Sequence, residues 1–308
     1  MKISQSKFDK TCRNPSYSHT DLACESPANA KNASGAYFRD YAVGAYKASE
    51  LRVCTPEAEE ACGRPMGRYA TLYCPDMASP ETLYRDSLSD AVSRLITDFI
   101  GEESFDIGAA TTVLIAGLGN RFITPDSIGP RCADKVLATA HLNRADRAFA
   151  SLGIPSVSVI TPGVSSQTGI EAAEIIKAAG DAAKADFIIA IDALAAKSTE
   201  RLCTTVQISN SGIQPGSGIG NHRAAITKET MGIPVIAVGV PTVISSATLV
   251  FDSLEKAGVE DLTDDMRRVL DASRGFFVSH GESDTICECA ADILAAAIGK
   301  IFTDEIFG

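Results

Sequence analysis

Tryptophan is absent from this 308-residue chain, and aromatic residues of every kind make up only 6% of it. No apolar run reaches the roughly 18 residues that a membrane-spanning helix needs, and the polar N-terminus lacks the apolar stretch of a secretory signal. Histidine occurs only at 19, 141, 222 and 280. With no H-E-x-x-H, a zinc peptidase would have few ligands to draw on. There is no G-x-S-x-G elbow for a serine hydrolase, no Asp-Thr/Ser-Gly as in pepsin-like enzymes, and no G-x-x-x-x-G-K-[ST]. GLGNRF lacks the third glycine of a dinucleotide fingerprint. Nine cysteines (12, 24, 54, 62, 74, 132, 203, 287 and 289) are odd in number and scattered. Without an export signal, a disulfide framework is not expected, and the lone C-x-C at 287 and 289 reads as packing. Basic residues are outnumbered, 28 against 39, which leaves a net charge of -11. Such a surface repels phosphate backbones and anionic lipid, so neither nucleic acid nor membrane is an expected partner. A cationic protein suits it better, and the implied address is the cytoplasm.

What is present is regular. The composition, 45% apolar, suffices for a sizeable core. Buried strands are predicted at 111–119 (TTVLIAGLG), 157–160, 187–191 (FIIAI), 204–209 and 235–240 (VIAVGV). Helical spacing predicts helices at 131–152, 169–185, 246–258, 264–273 and 284–302. Strands alternating with helices imply an α/β protein whose mainly parallel sheet is covered on both faces. Right-handed crossovers place the loops after the strands on one edge, where α/β sites usually lie. Residues 1–35 read as a mobile leader, 36–103 as mixed, and 54–65 as a loop. No repeat or interdomain linker breaks the rest.

Three of those loops can carry chemistry. GLGNRFITPDSIGP (117–130) presents Asp126, either as a reactive carboxylate or as an ordinary acid at a helix start. Asp192 follows five apolar residues, a placement that raises a carboxyl pKa unless the side chain caps a turn or pairs with Lys197 or Arg201. SGIQPGSGIGN (211–221) is a rigid glycine loop with exposed N–H groups, next to His222.

These loops, together with TPGVSSQTGIEAAEII, IAIDALAAKSTERLCTTVQISNSGIQPGSGIGNHRAAI and MGIPVIAVGVPTVISSATL, resemble segments of the germination proteases in the same order. The likeness is strong over 111–249, and continues weakly through HTDLACES and GRYATLYCP. It implies a three-layer αβα fold similar to that of hydrogenase-maturation proteases. By the same resemblance, Asp126 and Asp192 are the catalytic pair of an aspartic endopeptidase, sharing a proton because two close carboxylates cannot easily both ionise. The resemblance further implies small acid-soluble spore proteins as substrates, a homotetramer and the spore core as location. The sequence offers no ligand cluster of the usual spacing, so neither cofactor nor metal is expected. A metal-dependent maturation-type peptidase is the alternative. Residues 1–21 would form a propeptide, cut between Asp21 and Leu22 within an accessible Thr20-Asp21-Leu22-Ala23-Cys24-Glu25, and 22–308 a single peptidase domain. Asn120, Thr124, Gly216, Gly218 and His222 are the candidates for the substrate groove. Two departures stand out: ISSATL, where relatives commonly carry an acidic residue near Ser245, and 54–65, which has no recognisable family pattern.

Overall fold

The mixed stretch after residue 35 folds into an antiparallel meander. The computed structural model describes residues 17, 19–26, 30, 33–103, 105–216, 223–259, 262–273 and 275–303. In it, β1 (Ala36–Val43), β2 (Tyr46–Val53) and β3 (Gly67–Tyr73) are antiparallel neighbours. Gly44, at φ 59°, makes the tight turn between the first two. The predicted apolar runs form β4 (Thr112–Gly117), β5 (Ser156–Ile160), β6 (Phe187–Ala195), β7 (Thr205–Ser209) and β8 (Val235–Ser245). A short β9 (Phe277–Ser279) pairs with the end of β8.

The strand order is β1-β2-β3-β7-β8-β6-β4-β5. Only β5, β4, β6 and β8 run parallel to one another, and every pairing of the β1–β3 meander, β7 and β9 is antiparallel. The sheet is therefore mixed, which corrects the expectation of a mainly parallel one. Short turns such as that at Gly44 permit only antiparallel pairing, whereas a parallel neighbour needs a crossover.

The helices are α1 (Pro56–Cys62), α2 (Thr82–Glu102), α3 (Ile128–Ala133), α4 (Ala140–Ala145), α5 (Arg147–Ala150), α6 (Ser165–Thr168), α7 (Ala172–Ala183), α8 (Lys228–Met231), α9 (Ser246–Lys256), α10 (Asp264–Ala272) and α11 (Ser283–Phe302). The stretch read as a loop at 54–65 contains α1, started by Thr55, whose hydroxyl accepts the Ala58 N–H, and stopped by Gly63 in the left-handed region. The single helix expected at 131–152 is instead three short ones. Between them Thr139 gives its N–H to Val157, and its hydroxyl donates to Pro155 and accepts from Val157, so this backbone serves the edge of β5.

Alternate residues of the central strands face opposite cores. Val113, Ile115, Ile189, Ile191, Val206, Ile208, Val238 and Val240 pack with α2 and α11. Leu114, Ala116, Ile188 and Ala190 pack with Ala173 and Ile176 of α7. Each of the valine, leucine and isoleucine side chains contributes about 1.5–3 kcal/mol when fully buried. Register then aligns four further residues across the sheet: Thr71 opposite Gln207, Gln207 opposite Gly239, and Gly239 opposite Asp192. Their strand neighbours fill the α2/α11 core, so this row lies on the other face. Beneath the α2 end of the meander, buried Glu50 and Arg68 pair at 2.8 Å, and the Arg68 guanidinium lies 4.3 Å from the Phe99 ring.

The leader does not behave as read where it is described. Leu22 and Ala23 are buried, and residues 20–25 lie bonded against the end of β6 and the start of the following loop. Residues 1–16 and 18 lie outside the described residues. Among the described residues no helix is long and apolar enough to cross a membrane.

Candidate active site

The apolar residues of β6 are followed by Asp192 without a break in the strand, because pairing to β8 continues through Ala195. Alternation places its carboxyl on the α7 face, beyond Ile188 and Ala190, at only 4% exposure. Its Oδ1 accepts the Ala193 N–H at 2.9 Å. The two cations that a salt-bridge reading would use are engaged elsewhere: Lys197 with Glu255 at 3.1 Å, and Arg201 over the Tyr73 ring at 5.6 Å. Burial pushes the Asp192 carboxyl well above the ordinary carboxylate range. The Asp126 charge adds to this, the Ala193 N–H opposes it, and Asp21 adds a further upward push.

Asp126 arrives from the loop after β4. That loop stays on the sheet because the Leu118 N–H donates to the Ile191 carbonyl at 2.8 Å. A short 3-10 turn over Thr124–Asp126 then leads into α3. Gly129 lets α3 approach so closely that a Cβ there would overlap the carbonyls of Leu118 and Ile191. The Asp126 carboxylate takes the Asn120 N–H at 2.8 Å. Burial raises its pKa, and that N–H pulls the other way.

Both aspartates line a cleft of about 390 Å³, walled by Asn120, Ile123, Leu194 and Ala195 and by Glu171 and Arg223, which face each other at 3.5 Å. A second cavity, of about 290 Å³, holds Arg64, Tyr69, Gln207 and Ser209. Asp21, Asp192, Ala193, Leu194 and Gly216 border both, so Asp192 stands in the wall that the two share.

The structure brings most of the sequence candidates together. Asn120 and Gly216 line the groove. Thr124 does not: its hydroxyl donates to Asp284 of α11 at 2.9 Å, which anchors the turn instead. Gly218 and His222 lie outside the described residues. Asp21 lies in the groove, with its N–H on the Ala195 carbonyl and its Oδ2 on the Ala195 N–H, each at 2.8 Å. Leu22 is fully buried with Leu194, Ala196 and Ile244. The bond between Asp21 and Leu22 is therefore held against the groove, not displayed to solvent as expected, because the apolar Leu22 side chain has a pocket to fill.

Sequence reasoning missed three groups. Gln207 donates to the Asp21 carbonyl at 2.8 Å and accepts from the Ala23 N–H at 2.6 Å. Arg64 donates to the carbonyls of Thr20 and Leu22, at 2.6 and 3.2 Å. Glu25 accepts the N–H groups of Lys197 and Ser198 at 2.7 and 2.8 Å. Each is a long-range partnership with no local sequence signal. Among the described residues no three His, Cys, Asp or Glu side chains gather at metal-binding spacing.

Two carboxyl groups of raised proton affinity in one groove make a centre suited to acid–base hydrolysis. A family model described as germination protease matches residues 18–275. Among relatives of that name, the one from Clostridium tetani is 38% identical over 84% of this chain and 78% of its own length. That from Caldanaerobacter subterraneus is 41% identical over 77% of this chain and 72% of its own. That from Priestia megaterium is 39% identical over 76% and 64%. The chain belongs to the germination protease family, and is by that membership a peptidase.

Proposed function

We propose that this chain is an aspartic endopeptidase that starts the breakdown of small acid-soluble spore proteins at germination, with Asp126 and Asp192 as its catalytic pair. The observation that carries the reading is their shared groove, in which burial and then the charge of Asp126 raise the proton affinity of Asp192. Asp126, with the Asn120 N–H on its Oδ2, is the member to stay ionised and take a proton from water, while protonated Asp192 polarises the scissile carbonyl. Pairs whose surroundings push their pKa values apart divide acid and base roles in this way. Helices against both faces of the parallel strands favour the three-layer fold of hydrogenase-maturation proteases. Self-processing between Asp21 and Leu22, a homotetramer and residence in the spore core complete the proposal. The docking of residues 20–25 in the groove supports the cut.

The test is incubation of a small acid-soluble spore protein with wild type, Asp126→Asn and Asp192→Asn, each with and without chelator. Wild type should cleave in both conditions. Each variant should lose nearly all activity while staying folded by circular dichroism, and the double variant should be scarcely worse. Near-normal cleavage by either folded variant would remove the pair from the mechanism. Activity lost to chelation and restored by one transition metal would favour a metal-dependent peptidase.

A further inference from the structure

We propose that Gln207 is a further catalytic residue, whose side-chain N–H groups hold the carbonyl oxygen of the bond being cut. The inference rests on the reading above that the chain cleaves itself between Asp21 and Leu22. β7 reads TVQIS, and every one of its residues is buried. A glutamine at 7% exposure inside such a strand needs partners for both ends of its amide. The closest two come from one short segment: Nε2 donates to the Asp21 carbonyl at 2.8 Å, and Oε1 accepts from the Ala23 N–H at 2.6 Å, with the Thr71 hydroxyl a more distant donor to Oε1 at 3.5 Å. The amide thus spans the peptide group that joins Asp21 to Leu22. That group is fixed on its other sides by the two Asp21 bonds to Ala195 and by the buried Leu22 side chain.

Register supplies the second half of the argument. Gln207 and Asp192 are both opposite Gly239, on either side of it. They stand two strands apart, roughly 10 Å between backbones, and the residue between them has no side chain. Both border the same cavity, together with Asp21. The Leu194 side chain covers Gly239 and packs on Leu22. The Asp21–Leu22 peptide group therefore lies beside Leu194, with the Gln207 amide on its carbonyl and Asp192 in the wall of the same cavity.

The step balances with water alone. The water oxygen adds to the Asp21 carbonyl carbon as one of its protons passes to the Asp126 carboxylate. The C=O electron pair moves onto oxygen, where Gln207 Nε2 and the proton of Asp192 hydrogen-bond to it. Collapse then breaks the bond to the Leu22 nitrogen, which takes up that first proton and leaves as the amine, with a carboxyl on Asp21. A neutral donor suits this position, because a cation there would draw the proton off Asp192.

The rival view is a clamp that only anchors residues 21–23, and Gln207→Glu separates the two. It keeps the size and the acceptor for Ala23 and, once ionised, has no donor, so cleavage is compared across a pH series in which any O–H donation is lost as the carboxyl ionises. Full-length wild type, Gln207→Glu, Gln207→Ala and Asp192→Asn are followed by intact mass for self-cleavage and by hydrogen exchange at the Ala23 amide. Gln207→Glu should keep Ala23 protected yet cleave about 10²- to 10³-fold more slowly, as for loss of one oxyanion donor. Wild-type-like cleavage by Gln207→Glu, or slowing only in step with lost protection, overturns the proposal. In that case inert Asp192→Asn leaves the aspartic reading intact. Wild type cutting at another bond removes the Asp21–Leu22 reading and this proposal with it, and Asp192→Asn cutting normally removes the aspartic pair as well.

Discussion

Gly119 and Asp126 are in backbone contact: at φ 109°, a methyl group on Gly119 would overlap the Asp126 carbonyl oxygen and sit 3.0 Å from its Oδ1. The glycine is what allows the loop to fold back on the aspartate. Gly119→Ala should therefore displace Asp126, with strain of about 1–3 kcal/mol. A misplacement on the order of 1 Å can cost about 10²-fold in rate. Self-cleavage rate and urea unfolding on the same preparation check this, and a variant with normal rate and stability would show that the contact is slack.

Asp192 governs a pH effect on stability. Its folded-state pKa lies above the unfolded value, chiefly through burial and then through Asp126. The folded chain thus holds a proton that the unfolded chain releases. This contribution is fully present below the unfolded carboxyl range, near 4, and is lost as pH rises towards the folded value. Asp192→Asn should raise Tm at neutral pH, with the gap from wild type closing in mild acid. On a chain this size each kcal/mol is worth about 1.5 °C. A gap that widens on acidification would refute the assignment.

Glu50 has the opposite sign. Burial alone would raise it, but hydrogen bonds from Arg39, Arg52 and Arg68 together hold its pKa down to about 2. Its stabilisation is present above the unfolded carboxyl range and is lost as pH falls from about 4.5 to about 2. Glu50→Gln should cost about 3–5 kcal/mol, the usual penalty for stranding a buried partner. The low end is expected, because Arg68 keeps Asp98 at 2.7 Å. Urea melts from neutral to acid pH would then find wild type approaching the variant.

The parts legible from sequence are those whose cause is local. Runs such as FIIAI announce a strand buried on both faces, and Asp192 is conspicuous because it breaks one. The β1–β3 meander was not recognised, since its burial alternates weakly: β1 is half-exposed along most of its length. The break within 131–152 depends on Thr139 reaching β5, which no helical period encodes. Gln207 lies inside a β-prone segment and carries no local mark of its role. Its meaning comes from register with Gly239 and Asp192 and from a segment 186 residues earlier.

The strand order also has a consequence for synthesis. A ribosome delivers Asp21, Leu22 and Glu25 first, while the backbone that receives them, at Ala195, Lys197 and Ser198, emerges more than half a chain later. The row from Thr71 to Asp192 likewise closes only once Gly239 has been made. A nascent chain therefore has no assembled groove, and its N-terminal segment has nowhere to dock, until most of the polypeptide exists. Translation itself delays the protease, before any later control begins.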